Sequence, residues 1–173
     1  MTDSLRATLV PVRDTMQVED VANLADIIWR EHYVPIIGEE QVNYMLKNLQ
    51  STEKMIEDIA SGKTEYFSIE AHNEEIGYVA IEWQNQMMFI SKLYLLNSSR
   101  GNGFASQIIK ELKIRALQQK KSFIQLTVNK YNSSAITFYE KMGFVKIDSI
   151  ISSIGDGFVM DDYVYEYDLS SEQ

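Results

Sequence analysis

Between Leu93 and Ser106 an apolar strand runs into a polar turn, and the turn opens a long amphipathic helix. The stretch reads Leu93-Tyr94-Leu95-Leu96-Asn97-Ser98-Ser99-Arg100-Gly101-Asn102-Gly103-Phe104-Ala105-Ser106. Phe104, Ala105, Ile108, Ile109, Leu112, Ala116 and Leu117 then recur at helical steps, and Phe123 to Val128 returns to a strand pattern. Strand, helix and strand in this order predict a parallel crossover. Any fold for the chain has to be built around it.

The flanking segments supply the other elements. Arg6 to Val12 reads as a first strand. Val21, Leu24, Ala25, Ile28 and Trp29 mark one face of a helix from Val18 to Tyr33, which Pro35 and Gly38 are expected to break. A second helical segment carries Val42, Met45, Leu46, Leu49, Met55, Ile56 and Ile59. It is expected to split near Ser51-Thr52, with Thr52 capping the new start. Tyr66–Ala71 and Ile76–Gln84 form a hairpin about a turn at residues 72–75, and Met87–Leu96 is the next strand. Ser133–Met142 is a short helix, and Phe144–Ser153 and Phe158–Asp168 are strands. Consecutive strands favour antiparallel pairing, so the reading is a mixed α/β (α+β) sheet with helices on its faces.

The 173 residues include no Pro/Gly/Ser-rich linker and no repeat, which predicts one domain over 1–173, with a core from about 5 to 169 and a polar tail at 170–173. Sixteen Lys and Arg against 25 Asp and Glu give a net charge of −9. Without a basic stripe, that charge disfavours nucleic acid and attracts small cations. No cysteine is present, so disulfides, thiolate metal sites and a cysteine nucleophile are excluded. The N-terminal residues, with Asp3 among them, lack a signal-peptide run, and no stretch approaches the length of a membrane span. The expectation is a cytoplasmic protein with no membrane partner.

The turn after Leu96 has the makings of an anion site. Glycine tolerates positive φ and lets backbone approach a ligand, and the amides at a helix start face outward with the helix dipole behind them. Arg100 adds a cation, although an arginine in a turn also reads as a solvated charge. A P-loop would end in Gly-Lys-Ser/Thr, whereas this turn ends Gly103-Phe104-Ala105. A dinucleotide fingerprint would place glycine or a close substitute at Ser106 and an acid near 123, and neither is present.

Arg100-Gly101-Asn102-Gly103-Phe104-Ala105 resembles the Gln/Arg-x-x-Gly-x-Gly/Ala signature of the GNAT superfamily of acetyl-CoA-dependent N-acetyltransferases. Lys92-Leu93-Tyr94-Leu95 is similar to that family's fourth strand. Asn132 to Phe144, with Ala135, Phe138-Tyr139 and Gly143-Phe144, resembles its second motif. The order of elements matches as well. The resemblance implies a mostly antiparallel sheet of six to seven strands with about four helices on its faces, splayed between strands 4 and 5. It implies acetyl-CoA as co-substrate, no metal, and direct attack in a ternary complex by a primary amine of a small molecule, with a polyamine-like amine favoured, or of a peptide.

Carried over residue by residue, the main chain of Leu93, Tyr94 and Leu95 would hold the pantetheine arm and stabilise the developing oxyanion. The amides of Arg100, Gly101, Asn102, Gly103, Phe104, Ala105 and Ser106 would hold the pyrophosphate. Asn132 would contact the cofactor; on local grounds it is also an N-cap. Tyr139 would be the general acid to the leaving thiolate; on helical spacing alone it reads as core, beside Ala135, Phe138 and Met142. Ser91 stands where relatives often carry a carboxylate. Glu82 is therefore the nearest catalytic base, and it reads equally as a solvated strand-end charge.

Acceptor contacts would come from Trp29, His32, Tyr33 and Tyr131. Trp29 also falls on an apolar helix face, and His32 has no partner at metal-ligand spacing. Asp156, Asp161 and Asp162 read as a solvated loop. The Ile28–Gly38 stretch and the Gly155-Asp156-Gly157 to Asp162 ending resemble the polyamine-acetylating branch. A homodimer through the last hairpin is a further expectation from relatives. Two other readings stay open: a non-catalytic acyl-CoA-binding module on the same fold, and a protein binding another phosphate ligand at the Gly101–Gly103 turn.

Overall fold

The computed structural model describes residues 6–172. Residues 1–5, with Asp3, and Gln173 of the expected tail lie outside the described residues. The elements are β1 (Thr8–Pro11), α1 (Thr15–Ile37), α2 (Glu39–Asn48), α3 (Thr52–Ala60), β2 (Glu65–Ala71), β3 (Glu74–Trp83), β4 (Met87–Leu95), α4 (Phe104–Gln118), β5 (Phe123–Asn129), α5 (Ser133–Lys141), β6 (Val145–Gly155) and β7 (Phe158–Asp168). The seven strands are ordered β1-β2-β3-β4-β5-β7-β6. β4 and β5 are parallel, as the crossover through α4 predicts, and β1–β2, β2–β3, β5–β7 and β6–β7 are antiparallel.

The first helix is longer than its hydrophobic period suggests. It starts at Thr15 because Asp14 accepts the Gln17 amide while the Gln17 side chain accepts the Asp14 amide, a capping box upstream of the first buried residue. It also runs through Pro35. Proline lacks one amide, and in the last turn that forfeits a single hydrogen bond. Gly38, at φ +87, ends the helix with its N–H on Val34 O at 3.0 Å. The next helical segment is split where expected, but Ser51 is the cap, with Oγ accepting Lys54 N at 3.2 Å. Among the described residues there are five α-helices, where about four were expected. The hairpin turn is tighter than the four residues read from sequence. Only His72 and Asn73 lie between the strands, both at positive φ, as a primed two-residue turn requires.

The chain forms two compact units, and the division crosses β4 between Ser91 and Lys92 and α4 between Ile108 and Ile109. The first holds the residues up to Glu82 together with Lys92–Ile108. Its buried residues include Val21, Ala25 and Ile28 of α1, Ile69 of β2 and Val79 and Ile81 of β3. α1 meets the Tyr78 face of β3 through Trp29, and Val79 and Ile81 point to the opposite face. The second holds Trp83–Ser91 and the residues from Ile109 onward. Its core joins Met88, Ile109, Leu112, Ile124, Leu126 and Tyr165. Residues 170–172, expected as a polar tail, form a 3₁₀ turn with Leu169. Leu169 is fully buried and donates its N–H to Ser122 O at 2.9 Å, and Tyr167 hydrogen-bonds Glu172 through its hydroxyl.

In the first unit β3 leaves no room for a side chain at Gly77, where it passes β4. A Cβ on Gly77 would lie 2.1 Å from the Tyr94 carbonyl oxygen and 2.9 Å from a Leu95 methyl. Main-chain oxygen cannot swing aside as a flexible side chain can, so a methyl here forces the strands apart. Gly77→Ala is expected to cost about 3 kcal/mol. A fall of roughly 6–12 °C in melting temperature, read by circular dichroism, is the corresponding change.

Candidate active site

The turn after β4 is built largely from its own polar groups. Leu96 N donates to Ile76 O at 2.8 Å, which fixes where the strand ends. Asn97–Ser99 then forms a 3₁₀ turn, with Ser99 N on Leu96 O and Arg100 N on Asn97 O. The Asn102 side-chain amide donates to Ser99 O at 3.3 Å and Arg100 O at 3.5 Å. Gly101 and Gly103 have φ of +82 and +79, so each is glycine for backbone reasons. A Cβ at either position would meet no atom within 4 Å. The space beside the turn is therefore open, while α4 starts at Phe104 with Gln107 N on Gly103 O. The first-turn amides have no helical partner, and the dipole of a fifteen-residue helix lies behind them. Arg100 is exposed at the same turn. An open, donor-lined cradle beside a guanidinium fits a diphosphate.

The carboxyl-terminal part of α1 touches this turn. Glu31 Oε1 accepts the Asn97 amide at 3.3 Å. Burial, and then the Arg100 charge, lower the pKa of His32 below the usual imidazole value, which favours its neutral form. The His32 ring packs edge-on to Tyr33 at 4.8 Å between centroids. Tyr33 and Tyr94 share a hydroxyl–hydroxyl hydrogen bond of 2.9 Å, and both rings pack against Trp29. Trp29 is 2% exposed, and its indole N–H donates to the Tyr78 hydroxyl at 2.8 Å. Tyr78 donates onward to Gln50 Oε1, and the Gln50 amide donates to Tyr66. Tyr66 and Tyr78 are stacked.

Sequence reasoning missed the lower part of this chain: Gln50, Tyr66 and Tyr78. The signal was a run of polar atoms at positions whose spacing demands burial. Burial pushes the Tyr66 phenol up to about 12 and Tyr78 well above its ordinary value, so both remain protonated donors. Lys92 on β4 lies 5.8 Å from the Tyr66 ring centre. Burial lowers its pKa, and Asp58 and Glu82 oppose that shift. Glu82 is thus half-buried at the end of β3 and acts electrostatically on Lys92. Leu93 is half-buried, and Leu95 is buried.

In the second unit α5 carries the other expected residues. Asn132 is buried and caps the helix, its Oδ1 accepting Ala135 N at 3.3 Å. Tyr139, 9% exposed, packs edge-on to Phe138 and to Phe144, which in turn meets Tyr167. Tyr131 is 72% exposed beside this helix start.

The acidic group near the end of the chain differs from its sequence reading. Asp156 is exposed in the β6–β7 turn, but Asp161 and Asp162 lie on β7, and Asp162 is only 6% exposed. The strand from Phe158 was read from sequence, but the three acids were read as a solvated group because strand pattern does not report which carboxylate is buried. Among the described residues, no group of His, Asp and Glu side chains is arranged to hold a metal ion, and no helix is long and apolar enough to cross a membrane.

The family model "Acetyltransferase (GNAT) domain" matches residues 33–163. Among solved structures, the chain is similar to the PaiA N-acetyltransferase from Thermoplasma acidophilum in complex with coenzyme A. The TM-score is 0.79 at 19% identity, over 94% of this chain and 98% of that one. It is also similar to the spermidine/spermine N-acetyltransferase SpeG from Vibrio cholerae, with a TM-score of 0.67 at 18% identity over 96% and 94% of the two chains. A probable acetyltransferase from Staphylococcus epidermidis gives 0.71 at 15% identity over 94% and 98%. These likenesses describe a shared fold, and the family match spans well over half of the sequence. The chain belongs to the GNAT acetyltransferase family.

Proposed function

We propose that the protein transfers the acetyl group of acetyl-CoA to a primary amine of a small molecule, a polyamine-like amine above all. The observation that carries this reading is the open turn at Gly101 and Gly103, glycine by backbone angle yet clear of protein atoms in front. Acetyl-CoA supplies an activated acetyl thioester, and the chain's own residues bind and orient it. The amides of Arg100 and Ser99 already serve the 3₁₀ turn. The series that grips the pyrophosphate therefore runs from Gly101 through Asn102, Gly103, Phe104 and Ala105 to Ser106, with the Arg100 side chain adding charge. Main-chain groups of Leu93, Tyr94 and Leu95 hold the acyl arm. Asn132 contributes beside its capping role.

Tyr139 gives its phenolic proton to the departing sulfur. A thiol leaves with a pKa near ~8.5, and a phenol near ~10 can hand it a proton as charge develops. Glu82 takes the proton that the attacking nitrogen must lose. His32 and Tyr33, and separately Tyr131, contribute to acceptor binding, with Trp29, hydrogen-bonded to Tyr78, packed against Tyr33. The protein acts as a single domain in the cytoplasm. It forms a homodimer through β6, whose Val145, Ile147 and Ile151 are exposed by 63%, 49% and 68%.

Tyr139→Phe is expected to lower kcat by roughly 10²-fold with spermidine as acceptor, while the acetyl-CoA affinity measured by calorimetry stays within threefold. Full kcat in that variant would remove the general acid. Gly103→Ala adds a methyl that meets ligand rather than protein. It is expected to weaken acetyl-CoA at least tenfold, with only about 1 kcal/mol of folding stability lost to the positive φ. Well-folded wild-type protein that gives no heat signal of either sign on titration with acetyl-CoA would overturn the whole reading.

A further inference from the structure

Asp162 is the one buried carboxylate of β7 left with an unsatisfied oxygen. It lies opposite Asn129, the last residue of β5, and opposite Ile150 of β6. Its side chain shares a strand face with Val164 and Glu166. Tyr165 and Tyr167 occupy the other face, where Tyr165 donates to Glu140 of α5. The residue is 6% exposed, and Oδ1 is buried without a hydrogen-bond partner. The neighbouring Asp161 is served differently. Its Oδ1 pairs with Lys130 Nζ at 2.7 Å, a charge-assisted contact that raises the Lys130 pKa. Lys130 is thereby committed to Asp161, and its N–H also donates to Asp161 O.

A buried carboxylate oxygen without a donor is costly, and a fold has little reason to keep one unless a donor arrives. The missing donor must be small enough to reach the end of β5, must bring N–H groups, and gains most if it is positive. An alkylammonium meets all three conditions. The site also lies at the carboxyl end of a parallel strand, where α/β sheets receive ligands. We propose that Asp162 is a specificity residue that binds an ammonium group of the acceptor. This inference rests on the acetyl-transfer reading above and narrows its substrate class to amines that are cationic when they bind.

The titration of the site follows from the groups around it. Burial, and then the Asp161 charge, push the Asp162 carboxyl up to about 6, while Lys130 opposes the shift. Asp148 of β6, two residues before Ile150 and opposite Val164, and Glu166 share its strand face and are also acidic. Below about pH 6 Asp162 is protonated and no longer attracts a cation. The KM for an alkylamine should therefore rise about tenfold per pH unit below that point. The sign for folding is opposite to that of an ion-paired acid. The folded carboxyl holds its proton more tightly than the unfolded one near ~3.9, so stability falls as pH rises from about 4 to 6 and stays reduced at pH 7.

Asp162→Asn keeps the shape and removes the charge. With spermidine at pH 7.5, the variant is expected to show a KM raised at least tenfold and a kcat within threefold of wild type. Its KM should be flat between pH 5 and 7.5, its acetyl-CoA affinity unchanged, and its melting temperature at pH 7 no lower than wild type. A KM equal to wild type, or a loss of acetyl-CoA binding together with activity, would overturn the assignment and leave Asp162 as a structural acid. If the variant does not fold, calorimetry of spermidine with wild-type protein and coenzyme A at pH 5.0 and 7.0 decides. Affinity independent of pH sinks the proposal. Wild-type protein that acetylates no amine at all is a failure of the parent reading and is seen before any variant is made.

Discussion

Two positive-φ glycines decide how the chain leaves β4. An L-residue with a side chain resists φ near +80°, so the reversal from strand to helix can be made cheaply only at such positions. Once made, the reversal puts the start of α4 against the end of a strand and fixes which way its dipole points. The side chains nearby then need to do little. Asn102 ties the turn to itself, Phe104 is buried beneath it, and the open side is left to backbone donors. On the proposed reading, this is why a diphosphate can be held without a lysine.

The hydroxyl chain from Trp29 through Tyr78 and Gln50 to Tyr66 gives α1 a fixed position over β2 and β3. Each member satisfies another, so truncating any one strands its neighbour in a dry environment. The Tyr33–Tyr94 pair joins the same helix to β4. The helix that carries the proposed acceptor contacts is thereby tied directly to the strand that would carry the thioester. A shift of α1 has to be transmitted to Tyr94 or break this hydrogen bond.

Much of this architecture was legible in the sequence. The crossover through α4 announced itself because glycine punctuation coincides there with a change of period from two to 3.6. β7 was read to the residue because alternating aromatics bound it on both sides. What failed was local or depended on packing. The start of α1 lay in a capping box, Asp14 with Gln17, that hydrophobic periodicity does not register. Pro35 misled because a proline's cost depends on which turn of the helix it occupies. Tyr139 and Asn132 could be named only from a motif, since core packing and capping explain both equally well. Asp162 was misread because burial of a carboxylate is set by what packs on its strand, and no local spacing encodes that.

Charge supplies the last constraint. A protein of net charge −9 repels a polyanion at long range and draws cations toward it. Binding a coenzyme A thioester under those conditions requires donors that act within a few ångströms, where oriented amides and one guanidinium outweigh a diffuse field that salt already screens beyond about 8–10 Å. Cationic acceptors face the reverse situation: the field aids their approach, and a single desolvated carboxylate is enough to select among them. The same acidic surface thus explains why the proposed anion site is made of backbone and the proposed cation site of a side chain. Backbone donors cost no net charge and can be arrayed in series, whereas a buried carboxylate places one full charge where little water competes for it.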